Sequence, residues 1–394
     1  MINTEINAEN PKRTNVSKKK KFFFKLFSVC LAMFLFLVFA ELFLRLAPIP
    51  GIQFNTAKFD KLVGSVCYPH SISSYRNARG DFVQRKVNSW GYLDKEHVKE
   101  KKQGVYRIGF FGDSFTEARQ VHLENTFFRI IERKLKKHNV ECLAFGISGF
   151  SSLQSYLNSK RWSNFFNLDL IVYVFCENDL SDSIREIRRD PNRPYAVLTE
   201  NGFYIDYSFR EKTRYKQKIY FKIADYLTAH SLVVTTLVQR IRLLTKHGIK
   251  VKVSEEDRLM ATKSKFKSKP NIIPNQGDLP STWPDFWREY AKKLGSAIIS
   301  KWRDEVNEQK RKFVILYIPR FSEIEKKTKE QDSWKYWLES ICEERNINFI
   351  DPTEKLLVKK LQGKEIIYDH FTKEGHKAFA GAFVKWFKEN LPRN

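Results

Sequence analysis

The sequence predicts an α/β protein: a three-layer α/β/α domain around a parallel sheet, behind a single N-terminal transmembrane helix. Three observations predict it. From residue 105 onward, short apolar runs alternate with stretches whose apolar residues recur at helical spacing. Strands separated by helices build parallel sheets covered on both faces. The run LDLIVYVFC at 168–176 is almost wholly apolar, as expected of a strand buried on both sides. Finally, a lysine-rich stretch precedes 15 uncharged residues, 26–40.

In chain order, the first 25 residues carry seven lysine or arginine side chains against Glu5 and Glu9. With Lys25 and Arg45 snorkelling to the interfaces, the run 22–46 is long enough for a bilayer core, which takes about 20 helical residues. Basic residues stay cytoplasmic, so the bulk of the chain is expected outside the cytoplasm. Two other readings stay open: a cleaved signal peptide, with Val38-Phe39-Ala40 as the cleavage site, and a buried core helix. Pro48-Ile49-Pro50-Gly51 ends the helix. The expected organisation is a basic cytoplasmic tail (1–21), a transmembrane anchor (22–47), a linker and N-terminal extension (48–104), and the α/β domain (105–394).

Within the domain, 105–111 reads as a strand and 126–138 as a helix, with Phe127, Ile130, Ile131 and Leu135 on one face. A strand at 141–145, a helix at 151–162 and the strand 168–176 follow. The rhythm stops at about 180–283, an insertion rich in Arg, Lys, Tyr and Pro, suited to a lid or substrate cap. It contains one expected helix, 219–244, and a polar loop at 263–284. The rhythm resumes with a helix at 285–307 capped by Asp285, a strand at 313–318, a helix at 333–345, a strand at 347–350 and a closing helix at 375–390.

The chain holds 70 Lys+Arg against 45 Asp+Glu, a formal charge of +25. Zinc-finger spacing, an RNP-like aromatic run and a basic-zipper pattern are missing, so nucleic acid is not an expected partner. A basic surface near a membrane suits anionic lipid headgroups or acidic glycans. Five scattered cysteines form no disulfide framework. Cys142 and Cys176, near strand ends, read as packing residues rather than catalytic thiols.

Four short blocks fall near the carboxyl ends of strands or in the last loop, where doubly wound sheets bind ligands. Gly112-Asp113-Ser114-Phe115-Thr116 follows the first strand, and its glycine permits a sharp turn that sets Ser114 at the sheet mouth. Gly146-Ile147-Ser148-Gly149 lets a backbone N–H approach a substrate oxygen. Glu177-Asn178-Asp179 supplies an amide donor; such a donor to an oxyanion is worth roughly 3–4 kcal/mol of barrier. Asp369-His370-Phe371-Thr372, followed by Glu374-Gly375-His376, pairs an imidazole with a carboxylate. Each block taken alone is also an ordinary turn or cap.

In this order the blocks resemble the SGNH/GDSL hydrolase superfamily over about residues 85–390. Glu41-Leu42-Phe43-Leu44-Arg45 and the segment around Asn88 and Gly91 resemble a membrane-anchored bacterial subgroup of it. The resemblance implies a flavodoxin-like sheet and a serine nucleophile at Ser114. It implies an oxyanion hole from Ser114, Gly149 and Asn178, with His370 as base and Asp369 as its acid. Two positions depart from the pattern: Cys176 stands where the third block carries glycine, and Asp369 directly precedes His370 instead of lying two or three residues before it. A backbone carbonyl is the alternative partner for His370.

The implied function is hydrolysis of O-acyl esters, acetyl among them, on a cell-envelope glycan or lipid. It needs no metal or other cofactor. An O-acyltransferase sharing the acyl-enzyme, or a glycan-binding protein that keeps the fold without catalysis, are the alternatives. The expected location is the cell membrane, single-pass, with the catalytic domain on the extracytoplasmic side. Oligomeric state is not readable from the sequence.

Overall fold

The computed structural model describes residues 18–47, 56–77, 80–246, 273–275 and 278–390. The tail up to residue 17, the Pro48–Gly51 break and most of the polar loop at 263–284 lie outside them. Helix α1 (Lys18–Leu46) contains no buried residue and is long and apolar enough to cross a membrane, a test that a signal sequence also passes. Two antiparallel hairpins follow, β1 (Ala57–Asp60) with β2 (Gly64–Cys67) and β3 (Ile72–Arg76) with β4 (Phe82–Lys86). The stretch 56–104, expected as linker and extension, sends Val63, Val87, Tyr92 and Leu93 into the core.

The α/β rhythm then unfolds as β5 (Tyr106–Gly112), α2 (Ser114–Glu117), α3 (Phe127–Lys134), β6 (Val140–Gly146), α4 (Ser152–Phe165) and β7 (Leu170–Phe175). The insertion comprises α5 (Asn178–Ser183), α6 (Arg185–Arg188), the hairpin β8 (Tyr195–Thr199) with β9 (Gly202–Asp206), α7 (Phe209–Lys212), α8 (Ile219–His230) and α9 (Leu232–Lys246). The chain returns through α10 (Asp285–Glu308), β10 (Lys312–Tyr317), α11 (Phe321–Ile324), α12 (Lys335–Glu344), β11 (Asn348–Ile350), α13 (Thr353–Leu361) and α14 (Lys373–Asn390).

The five sheet strands run parallel in the order β11-β10-β7-β5-β6. Counted along the chain this is 2-1-3-4-5, the flavodoxin-like order, with its switch point between the first and third strands. Successive residues of one strand point to opposite faces, and both faces are covered. Phe111, Phe145, Tyr173, Phe175 and Tyr317 pack with Trp287 and Trp302 of α10 on one side. Phe110, Ala144, Val172, Val174 and Leu316 pack with α3 and α14 on the other.

Two local expectations are corrected. Asp285 is the first helical residue of α10, with Pro284 at the cap position, and it pairs with Arg288. The stretch 219–244 is two helices broken at Ser231, whose extended backbone (φ −126°, ψ 123°) ends α8. Helix α13 was not anticipated.

Candidate active site

Strands β5 and β7 flank the switch point, and the residues that follow them form the site's floor. Position 112, the last of β5, has to be glycine because a Cβ there would collide with Thr116 Oγ1 and the Val174 carbonyl. Asp113 then caps the short helix α2, its carboxylate accepting from Phe115 N–H at 2.9 Å. Ser114 is therefore the first residue of a helix rising from the sheet edge. Arg85 of β4 closes the other end of α2, donating to Ala118 O at 2.6 Å and Glu117 O at 3.3 Å. Gly146 leaves room for α2 to lie against β6, since a Cβ there would overlap the backbone of Thr116 and Glu117.

His370 arrives from the opposite direction, 256 residues later in the chain. A bridge between Ile367 and Phe371 and a Tyr368 N–H to His370 O bond of 3.0 Å shape its tight loop. Gly375 is required beneath this loop, because a Cβ there would strike the Ile366 carbonyl. The imidazole packs over Phe115, ring centres 4.7 Å apart. Its Nε2 lies 2.8 Å from Ser114 Oγ, a normal hydrogen-bond distance. Burial lowers the His370 pKa; the Asp369 charge pulls it up, and Arg119 pushes it further down. The ring is held neutral, able to accept the Ser114 proton.

Asp369 stands apart from that pairing. Its Oδ2 is 3.7 Å from His370 Nδ1, within ion-pair range but beyond a hydrogen bond. His370 Nδ1 has no hydrogen-bond partner among the described residues, so no backbone carbonyl takes the orienting place either. Asp369 instead accepts from the Tyr75 hydroxyl and, at 2.9 Å, from His370 N–H. Burial pushes its pKa up, but the Tyr75 bond and the imidazole outweigh this and leave it below the usual carboxylate value.

Gly149 adopts φ +74°, a left-handed conformation in which other residues are strained. Its carbonyl accepts from Arg193, and Arg188 Nη2 lies 3.4 Å from where a Cβ would project. Ser148 beside it donates to the buried Glu117 carboxylate. Asn178 Nδ2 lies 3.3 Å from Asp113 Oδ2 and 3.4 Å from Asp182 Oδ2. These two carboxylates take both amide hydrogens and fix the amide plane of Asn178 next to Asp113. Burial raises the pKa of Asp113 to about 6, and pushes Asp179 and Asp182 up as well.

No family model and no curated protein matches this chain. Among solved structures it is similar to an acetyl xylan esterase, AlAXEase (14% identity, 71% of this chain and 98% of that chain covered, TM-score 0.37). It is also similar to a member of the lipolytic protein G-D-S-L family from Veillonella parvula (15%, 72% and 99%, 0.36) and to a lipase/acylhydrolase from Enterococcus faecalis (10%, 74% and 99%, 0.36).

His376, the other histidine of the final block, is not in the site. It is buried, its Nδ1 accepts from Phe127 N–H at 3.3 Å, and burial drives its pKa down to about 3. Cys142 and Cys176 are buried free thiols whose pKa burial pushes well above the ordinary value, which makes them inert. Sequence reasoning missed Tyr75 and Arg119. Tyr75 comes from the β3–β4 hairpin, in a stretch without periodic signal, and the Arg119 guanidinium lies 5.5 Å from its ring centre. Arg188 and Arg193 were hidden in the insertion, where basic residues are too many to single out.

Proposed function

We propose that this chain is a membrane-anchored serine esterase. The supporting observation is the 2.8 Å pairing of Ser114 Oγ with His370 Nε2 at the switch point of the sheet. Ser114 attacks the acyl carbon while its proton passes to His370. The oxyanion is stabilised by the N–H groups of Ser114 and Gly149 and by the Asn178 amide, which exchanges one of its two long bonds to Asp113 and Asp182 for the oxyanion. Collapse breaks the bond to the alcohol oxygen, which leaves with the His370 proton. Water then gives a proton to His370 and attacks the acyl-enzyme, and Ser114 departs with that proton. Asp369 supports the transient imidazolium through its charge rather than through a hydrogen bond, and Tyr75 keeps it in place.

The substrate in this reading is an O-acyl ester, acetyl among them, on a cell-envelope glycan or lipid. The apolar α1 supports it, since an anchored enzyme meets what lies at the membrane. The lysines at 18–21 and 25, on the N-terminal side of the apolar run, support a catalytic domain outside the cytoplasm. Arg188 and Arg193 beside Gly149 and the excess of basic residues support an anionic carrier.

A fluorophosphonate probe tests the nucleophile. The wild-type protein should be labelled covalently and Ser114→Ala should not be. Equal labelling of the two, with both proteins folded by circular dichroism, refutes the assignment.

A further inference from the structure

Helix α8 carries its large apolar side chains on the outside. Ile219, Tyr220, Ile223, Tyr226 and Leu227 are all exposed, Ile219 by 70%. On a helical wheel they fall within one stripe about 120° wide, the width of an ordinary core-facing stripe. The buried residues of this helix are Thr228 and Ala229. Leu237 of α9 is exposed too. An apolar surface turned outward in this way marks a partner.

The attachment of these helices identifies that partner. The Glu41 carboxylate of α1 accepts from Ser231 Oγ at 2.9 Å, Val233 N–H at 3.1 Å and Leu232 N–H at 3.2 Å. It thereby caps the N-terminus of α9 from another helix. Arg45 Nη2 donates to the His230 carbonyl at 2.8 Å, closing the end of α8. Glu41 and Arg45 occupy the last turns of α1, where a span beginning near Phe22 has already used the roughly 20 residues that a bilayer core takes. The corner between α8 and α9 is therefore held at the level where α1 leaves the hydrocarbon. The residues on the stripe suit that level. Tyr220 and Tyr226 are amphipathic rings of the kind that settle among headgroups. Lys218 and Lys222, both exposed, lie on one flank and complement anionic lipid.

We propose that α8 and α9 form a second, monotopic membrane contact, with the stripe of Ile219, Tyr220, Ile223, Tyr226 and Leu227 lying in the interface of the bilayer that α1 spans. The proposal rests on the anchor reading of α1. It also links the membrane to the site. Tyr68 packs edge-on against Tyr226 and His230, and its hydroxyl donates to the Lys222 carbonyl at 3.4 Å. Tyr68 leads into β3, whose Tyr75 holds Asp369. Seating the helices on lipid thus fixes the hairpin that lines the site, and sets the distance of Ser114 from the bilayer.

The test uses the full-length protein in vesicles of phosphatidylcholine mixed with phosphatidylglycerol. An environment-sensitive fluorophore is placed at Ile223→Cys, Leu237→Cys or, as a control, the exposed Tyr336→Cys of α12, each in a Cys30→Ser background. The remaining cysteines are buried and do not compete for label. A fourth sample carries the label on the native Cys30, inside α1. Lipid-borne nitroxide should quench the fluorophore at 223, 237 and 30 several-fold more than at 336, and aqueous iodide should do the reverse. Iodide quenching at 223 and 237 equal to that at 336, with Cys30 still quenched by lipid, overturns the membrane contact and leaves the anchor standing. A Cys30 label that lipid does not quench overturns both. Protection at 223 and 237 from both quenchers shows that protein, not lipid, covers the stripe, and overturns the proposal.

Discussion

Two groups of buried carboxylates lie against the same sheet, with opposite electrostatics. Asp94 sits at the free edge of β6 and accepts from Ala144 N–H at 3.0 Å. Burial alone would raise its pKa, but Arg129 and the His97 ring, 3.0 Å away, bring it down to about 2. His97 also meets Glu141, which Arg107 holds at 2.7 Å. At the carboxyl ends of the strands, Asp113, Asp179 and Asp182 are as deeply buried, yet their pKa values are pushed up. Asp113 has an amide and a backbone N–H for partners where Asp94 has a guanidinium and an imidazole. The first group closes a strand edge and ties the segment 88–97 to the domain. In the second, Asp113 and Asp182 orient the Asn178 amide at an energetic cost, which is where function tends to reside.

Breaking the catalytic end should cost activity and spare stability. His370→Ala is expected to lower kcat by about 10³–10⁴-fold, with a thermal midpoint close to that of wild type, because the ring is held mainly by Phe115 and Ser114. Steady-state hydrolysis of a nitrophenyl ester and a melting curve measure the two. A fall in both together would make His370 a structural residue.

Breaking the other end should do the converse. Asp94→Ala takes a buried carboxylate from Arg129 and His97 but leaves them Glu132 and Glu141, so the loss should fall below the ~3–5 kcal/mol of a buried charge left wholly unpaired. Denaturant unfolding should report that loss, and the folded fraction should keep its kcat. The sign with pH follows from the lowered pKa. The stability Asp94 supplies is present above the unfolded carboxylate pKa of about 4 and is lost as pH falls towards the folded value. Equal unfolding midpoints for wild type and variant would show that the network contributes nothing.

Asn178→Ala removes an oxyanion donor of the proposed mechanism and also leaves Asp113 and Asp182 without their amide. A fall in kcat of about 10²-fold is expected, with KM little changed. A rise in KM at constant kcat would instead make Asn178 a ground-state contact.

Of these two regions, only the catalytic one could be read from the sequence. The strands of the sheet announced themselves by continuous apolarity, and Ser114, Gly149 and Asn178 each follow a strand end, so one topology gathers them. His370 came from its block rather than from any periodicity. The segment 56–104 was illegible because its strands are four or five residues long and half-exposed, and it hid both Tyr75 and the Asp94 network. The break at Ser231 was also invisible, since the carboxylate that caps α9 is 190 residues away. Helix α13 was missed because it is short and lysine-rich, directly behind Asp351-Pro352.

The smallest effect concerns the residue where sequence expectation and geometry diverge most. Asp369 sits 3.7 Å from His370 Nδ1 and makes no hydrogen bond to the ring, so Asp369→Asn removes a charge but no bond to the imidazole. A drop in kcat of about 10-fold is expected, far less than the roughly 10⁴-fold loss when a hydrogen-bonded triad acid is neutralised. The pH profile separates a positioning role from a merely structural one. His370 must be neutral to act as base, so kcat/KM rises with pH through its pKa. Because burial already lowers that pKa and the Asp369 charge raises it, Asp369→Asn should move the acid limb to lower pH. Arg119 pushes the same pKa down, so Arg119→Gln should move the limb up. Shifts of opposite sign in the two variants establish that both charges act on His370. A 10⁴-fold loss in Asp369→Asn would show that the carboxylate closes onto Nδ1 once substrate is bound.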